Sequence, residues 1–131
     1  MHKATVAAAI LALSAAPLSA GVLECAINAG ASQNGFITDH YSFEYDSKTA
    51  TVSVLDALLQ GENGGPLAGT LSETAKKLGI SWSIVVVTTT GKNIRLQYRA
   101  SYVKATKAVQ ISVVPGGGEY VGGFEARGTC N

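Results

Sequence analysis

The side chains that could do chemistry are few. The chain holds two histidines, and only His40 stands within a segment patterned like a folded domain. It follows Asp39 and opens the run Tyr41–Tyr45. A histidine works as a general base when a hydroxyl or thiol lies about 3 Å from one ring nitrogen and a partner orients the ring. Asp39 or another carboxylate could orient it, but nothing in the spacing pairs a serine or threonine with His40. A surface imidazole at a strand entry is the expectation, and no catalytic residue is assigned. A metal centre draws three or four ligands from His, Cys, Asp and Glu. Asp39, His40 and Asp46 come nearest to a set, yet their spacing fits no metal scheme. An oxygen-only calcium loop needs several carboxylates, and Gly61–Pro66 supplies Glu62 alone. Glu44 and Asp46 share a strand face about 7 Å apart, but nothing singles them out from the other acids as a glycosidase pair. Gly116-Gly117-Gly118 lacks a following Lys-Ser/Thr and opens no helix, and Thr90-Gly91-Lys92 fails the same test, so both read as turns rather than phosphate cradles. No metal and no cofactor are expected.

The two cysteines, Cys25 and Cys130, sit near opposite ends of the chain. A metal pair or a redox dithiol would favour a two-residue spacing, which is absent. An even count in an exported protein reads as a disulfide. Closing a loop of about 100 residues contributes about 4.7 kcal/mol in the chain-entropy account, and it makes the first and last segments neighbours.

Export is read from the N-terminus. Met1-His2-Lys3 is weakly positive, Ala4–Ala16 is apolar, and Pro17-Leu18-Ser19-Ala20 ends on a small residue, the grammar of a cleavable signal over residues 1–20. The apolar run is too short for the ~20 residues of a spanning helix. Glu24 before Cys25 argues against lipid attachment. The expected product is a single β domain over residues 21–131, periplasmic or secreted. The whole chain has 10 Lys and Arg against 9 Asp and Glu, and losing Lys3 balances the two. Charged residues are 15% and hydrophobic residues 47%, which opposes disorder and a coiled coil. Neutrality with export opposes nucleic acid as a partner.

The elements that must position these residues are strands. Tyr41, Phe43 and Tyr45 alternate with Ser42, Glu44 and Asp46, the period of a half-buried strand. Ile80, Trp82, Ile84 and Val86 repeat the pattern, as do Ile94, Leu96, Tyr98, Ala100 and Tyr102. Val109, Ile111 and Val113 follow, then Phe124 and Ala126. Turns fall at Asp46-Ser47-Lys48, Thr90-Gly91-Lys92 and Lys104–Lys107, and loops at Gly61–Pro66 and Pro115–Glu119. Leu67–Gly79 admits two readings. Thr70 and Glu73 match a capping box with Leu71, Ala75 and Leu78 on one helical face, giving a short helix near 71–78. The other reading is a hairpin turning at Thr74-Ala75-Lys76, favoured by the strands around it. Six to eight strands joined by short turns predict an all-β antiparallel meander, closed as a small barrel or a strongly curled sheet.

Tyr41, Phe43, Tyr45, Trp82, Ile84, Leu96, Tyr98, Ile111 and Phe124 point inward. In so small a barrel they fill a core; a hollow barrel would make them the lining of an apolar pocket for a small molecule. Arg95, Arg99 and Lys92 point outward and could meet an acidic partner, although a solvated face is the simpler reading.

The signal, the β meander of about 110 residues and the terminal cysteines Cys25 and Cys130 resemble those of small exported β-barrel proteins of Gram-negative bacteria. More distantly, the layout is similar to the periplasmic lysozyme inhibitors, which insert a Ser-Gly-containing loop ending in Tyr. The counterpart here, Gly116-Gly117-Gly118-Glu119-Tyr120, lacks the serine, so no site residue is carried over. The functional expectation is a monomeric, non-enzymatic binding module for a protein or envelope component, acting through the loops Gly61–Pro66 and Pro115–Tyr120. The alternatives are a small-molecule carrier with an apolar barrel pocket and an inhibitor of an envelope-targeting enzyme.

Overall fold

Apolar residues at every second position leave a strand on one face, and burying that face drives the sheet to curl on itself. The computed structural model describes residues 20–30, 35–116 and 122–131. It contains β1 (Ala20–Asn28), β2 (His40–Asp46), β3 (Thr51–Leu55), a helix α1 (Ala57–Asn63), β4 (Leu67–Glu73), β5 (Lys77–Val87), β6 (Asn93–Val103), β7 (Ala108–Gly116) and β8 (Phe124–Cys130). Residues 1–19, within the expected export signal, and residues 117–120 of the second glycine-rich loop lie outside the described residues.

Each strand pairs antiparallel with the next and β8 pairs with β1, so the meander closes as a barrel. Connections at residues 47–50, 74–76 and 104–107 gather at one end, and the longer β1–β2 and β3–β4 connections at the other. The stretch 67–79 forms the hairpin, not the helix: Leu71 pairs with Ile80 and Glu73 with Leu78. The helix lies earlier, at Ala57–Asn63, over part of what reads as the Gly61–Pro66 loop. Its cause is local. Asp56 caps the N-terminus by accepting from the Leu59 amide at 2.8 Å, and Gly64 ends the helix at φ 76°, a left-handed conformation that costs glycine little. Pro115 and Gly116 belong to the end of β7 rather than to a loop.

The interior is filled. Tyr41, Phe43, Leu96, Ile111 and Val113 are fully enclosed, and Trp82 and Tyr98 are buried beside them. Trp82 lies flat on its cross-strand partner Tyr98, ring centroids 5.0 Å apart, and meets Tyr41 and Phe43 at 5.9 and 5.6 Å. Three of the residues read as inward, Tyr45, Ile84 and Phe124, are only partly buried at the margin of this core. Tyr45 lies against Gly21, its partner on β1, where the ring takes the space a side chain would occupy. Leu59 of α1 and Ile37 of the β1–β2 connection are also buried in the core. A disulfide joins Cys25 to Cys130, directly opposed across the β1–β8 seam. No helix among the described residues is long and apolar enough to cross a membrane.

Candidate functional site

His40 opens β2 opposite Ala26, two pairs along from Glu24 and Ser42. That register brings the three side chains together. Glu24 takes the His40 Nε2 contact at 2.9 Å on one oxygen and accepts from the Ser42 hydroxyl at 2.9 Å on the other. The order is wrong for nucleophile activation, which requires the imidazole to stand between hydroxyl and carboxylate. Here the carboxylate stands in the middle and draws the serine proton to itself. The imidazole is 60% exposed, so this is a surface hydrogen-bond cluster at the rim of a shallow hollow of about 480 Å³ shared with Asp39, Asp56 and Gln60. The carboxylate that holds His40 is Glu24, across the strand pair, rather than its neighbour Asp39.

Glu44 and Asp46 stay two residues apart on the outward face of β2, whereas the set of Asp39, His40 and Asp46 disperses. His40 and Asp46 end opposite tips of β2, about 20 Å apart at the strand rise. Asp46 accepts from the Lys48 amide at 2.9 Å and shapes the turn. Among the described residues no group of three His, Cys, Asp or Glu is placed to hold a metal ion.

Asp56 is the buried carboxylate. One oxygen caps α1 and the other accepts from the Thr38 hydroxyl at 2.5 Å. Nearby, the Thr38 amide donates to the Tyr41 hydroxyl at 3.2 Å, and Tyr98 donates to the Phe36 carbonyl at 2.5 Å. Burial, then the charge of Asp56, raises the Tyr41 hydroxyl far above the ordinary tyrosine range. Burial, then Tyr41 and Asp56, does the same to Tyr98. All these groups are spent on one another. They lash the β1–β2 connection and α1 over the barrel end, and none is offered to a ligand.

The outer face of β4–β7 differs. Its side chains enclose a trough of about 680 Å³ lined by Thr70 of β4, Ser81 and Ser83 of β5, Arg95, Gln97 and Arg99 of β6, and Ser112 of β7. Register assembles it: Ser81 opposes Arg99, which opposes Ser112, and Ser83 opposes Gln97. Arg95 touches Ser83 at 3.5 Å. Among the described residues neither Arg95 nor Arg99 is in an ion pair. Lys92 sits in the turn before β6 and does not line the trough. The outward arginines are legible from strand alternation. The serines are not, because only the register of three strand pairs makes them neighbours.

Of the two loops expected to carry function, the first is largely absorbed. Residues up to Asn63 are helical, and the Asn63 amide pins Gly65 and Pro66 by donating to their carbonyls at 3.2 and 3.1 Å. Of the second, Pro115 and Gly116 end β7 and residues 117–120 lie outside the described residues.

Comparison with protein-family models, with curated proteins and with solved structures found no match. The geometry therefore carries the functional reading.

Proposed function

We propose that this protein is an exported, non-enzymatic binding module that meets an acidic partner through the trough on β4–β7. One observation carries the reading: two arginines without a carboxylate partner among the described residues share a concave, polar face. A guanidinium presents fixed donors that match a carboxylate fork, and it remains charged at any physiological pH. The filled interior leaves no room for a carrier's ligand inside the barrel. Export is supported by the leader-like first 20 residues and by the disulfide, a bond that persists in oxidising compartments.

Charge balance makes the test clean. Without Lys3 the chain is formally neutral, so retention on an immobilised carboxylate matrix near pH 7 reports a clustered patch rather than net charge. Arg95→Gln with Arg99→Gln should elute at clearly lower salt. Lys48→Gln with Lys76→Gln removes equal charge from turns at one barrel end and should barely shift. Equal shifts for the two pairs would overturn the reading.

A further inference from the structure

The lining says more about the ligand, granted that the trough is the contact surface. We infer that it takes an anionic polysaccharide, a chain of sugar rings bearing carboxylates.

Beyond the cations, the outward polar side chains of the lining are short hydroxyls and one amide, beside Ala68, Gly69, Val114 and the buried rings of Trp82 and Tyr98. Thr70, Ser81, Ser112 and Gln97 spend no side-chain hydrogen bond on the protein among the described residues, and Ser83 accepts only the long contact from Arg95. Serine and threonine lose little rotamer freedom on binding. They can both donate and accept, which is what sugar hydroxyls demand. Arg95 and Arg99 stand four residues apart on β6, about 13 Å at the strand rise, with Gln97 between them. That arrangement suits separated carboxylates with neutral, hydrogen-bonding stretches between. Glu125 limits the face beyond Ser112, where one of its oxygens is engaged by Gln110 at 2.8 Å.

The other polyanions fit less well. A peptide that adds a strand needs a free sheet edge, and among the described residues the closed barrel offers only short unpaired stretches, Trp82–Val87 of β5 beyond β4 and Ala20–Glu24 of β1 beyond β8. A peptide helix needs an apolar groove, and Val114 is the one exposed large apolar side chain in this lining. Single-stranded nucleic acid stacks its bases on open rings, yet Trp82 and Tyr98 are buried against each other.

Titration calorimetry near physiological salt decides it, with polygalacturonate as the probe and polyglutamate, an oligodeoxythymidine and neutral dextran beside it. Polygalacturonate should bind at least about tenfold more tightly than the other three, a gap that several neutral hydrogen bonds can supply. Arg95→Gln with Arg99→Gln should weaken it about tenfold or more, and Ser83→Ala, Gln97→Ala and Ser112→Ala about two- to tenfold each. All five positions are on the solvent side of their strands, and unchanged circular dichroism shows that each variant is folded. Equal binding of polyglutamate or of the oligonucleotide, or indifference to the hydroxyl and amide variants, overturns the sugar-chain ligand. The matrix result separates the two proposals: no polygalacturonate binding with the arginine-specific elution shift intact removes only this inference, and loss of both removes the acidic-partner reading as well.

Discussion

Asp56 is the one buried polar or charged side chain among the described residues, 7% exposed, and both of its oxygens are committed. A carboxylate taken out of water is tolerated only when such bonds replace its hydration. Asp56→Ala would remove the cap of α1 and orphan the Thr38 hydroxyl, a loss of about 2–3 kcal/mol when the two contributions are combined. Asp56→Asn keeps an oxygen for the Leu59 amide and should lose roughly half as much. Urea unfolding measures both, and an unchanged midpoint for the alanine variant would show the cluster to be idle. The neighbouring phenols set the alkaline limit. Tyr41 and Tyr98 are held neutral in the fold, chiefly by burial, with Asp56 pushing the same way, whereas in the unfolded chain they ionise near pH 10. A group whose folded pKa is raised contributes stability that is complete below the unfolded value and lost as pH climbs past it. The protein should therefore lose stability progressively as pH rises above about 10. Tyr41 and Tyr98 should become phenolate only as near-ultraviolet dichroism collapses, and Tyr41→Phe should flatten the alkaline limb. Phenolate absorbance appearing before any loss of tertiary signal would contradict this.

At the scale of elements, the β1–β8 seam is where a meander becomes a barrel. It is short, running from Cys25 opposite Cys130 to Asn28 opposite Arg127. A β-carbon at Gly128 would fall within 2.9 Å of backbone atoms of Ala26 and Ile27, and backbone cannot swing aside as a side chain can. Gly128→Ala should thus cost about 3 kcal/mol or more. Gly61, inside α1, has open space around the same added atom, so Gly61→Ala should stabilise by about 0.5–1 kcal/mol through helix propensity. Thermal unfolding of the two variants should move in opposite directions; a harmless Gly128→Ala would mean the seam is looser than drawn. The same contrast explains what the sequence reveals. Strands announce themselves because Ile94 to Tyr102 alternate without a break, and the disulfide because the cysteines had no competing spacing. Helix α1 is hidden because its seven residues bury Leu59 alone, too short for a repeating apolar stripe, leaving Asp56 and Gly64 as its only signs. Thr70 and Glu73 imitate a capping box, yet pairing with Ser81 and Leu78 overrides it. The trough is hidden for a different reason: Ser81, Arg99 and Ser112 are far apart in the chain and meet only through register.

For the molecule as a whole, a filled barrel sends its chemistry to the outside, and the charges there are sorted. Glu24, Glu44 and Asp46 lie outward on β1 and β2 and Arg95 and Arg99 outward on β6, while β8 carries Glu125 and Arg127 together, so the acidic strands and the arginine strand of a nearly neutral chain are separate. Whether the interior is solid decides between surface recognition and a carrier, and Trp82 is the residue to ask. It touches Tyr41, Phe43 and Tyr98 together, so nothing else could take up its volume. Trp82→Ala should cost about 3–5 kcal/mol and leave a dry apolar void. An aromatic ligand the size of benzene should refill that void and raise the melting temperature, as it does in engineered cavities. The unaltered protein should show no such rise, since its core is already occupied, and the variant should keep its retention on the carboxylate matrix because no outward side chain has changed. If the unaltered protein instead takes up the aromatic ligand with one-to-one stoichiometry, the barrel is hollow, and the carrier reading replaces the one built on the trough.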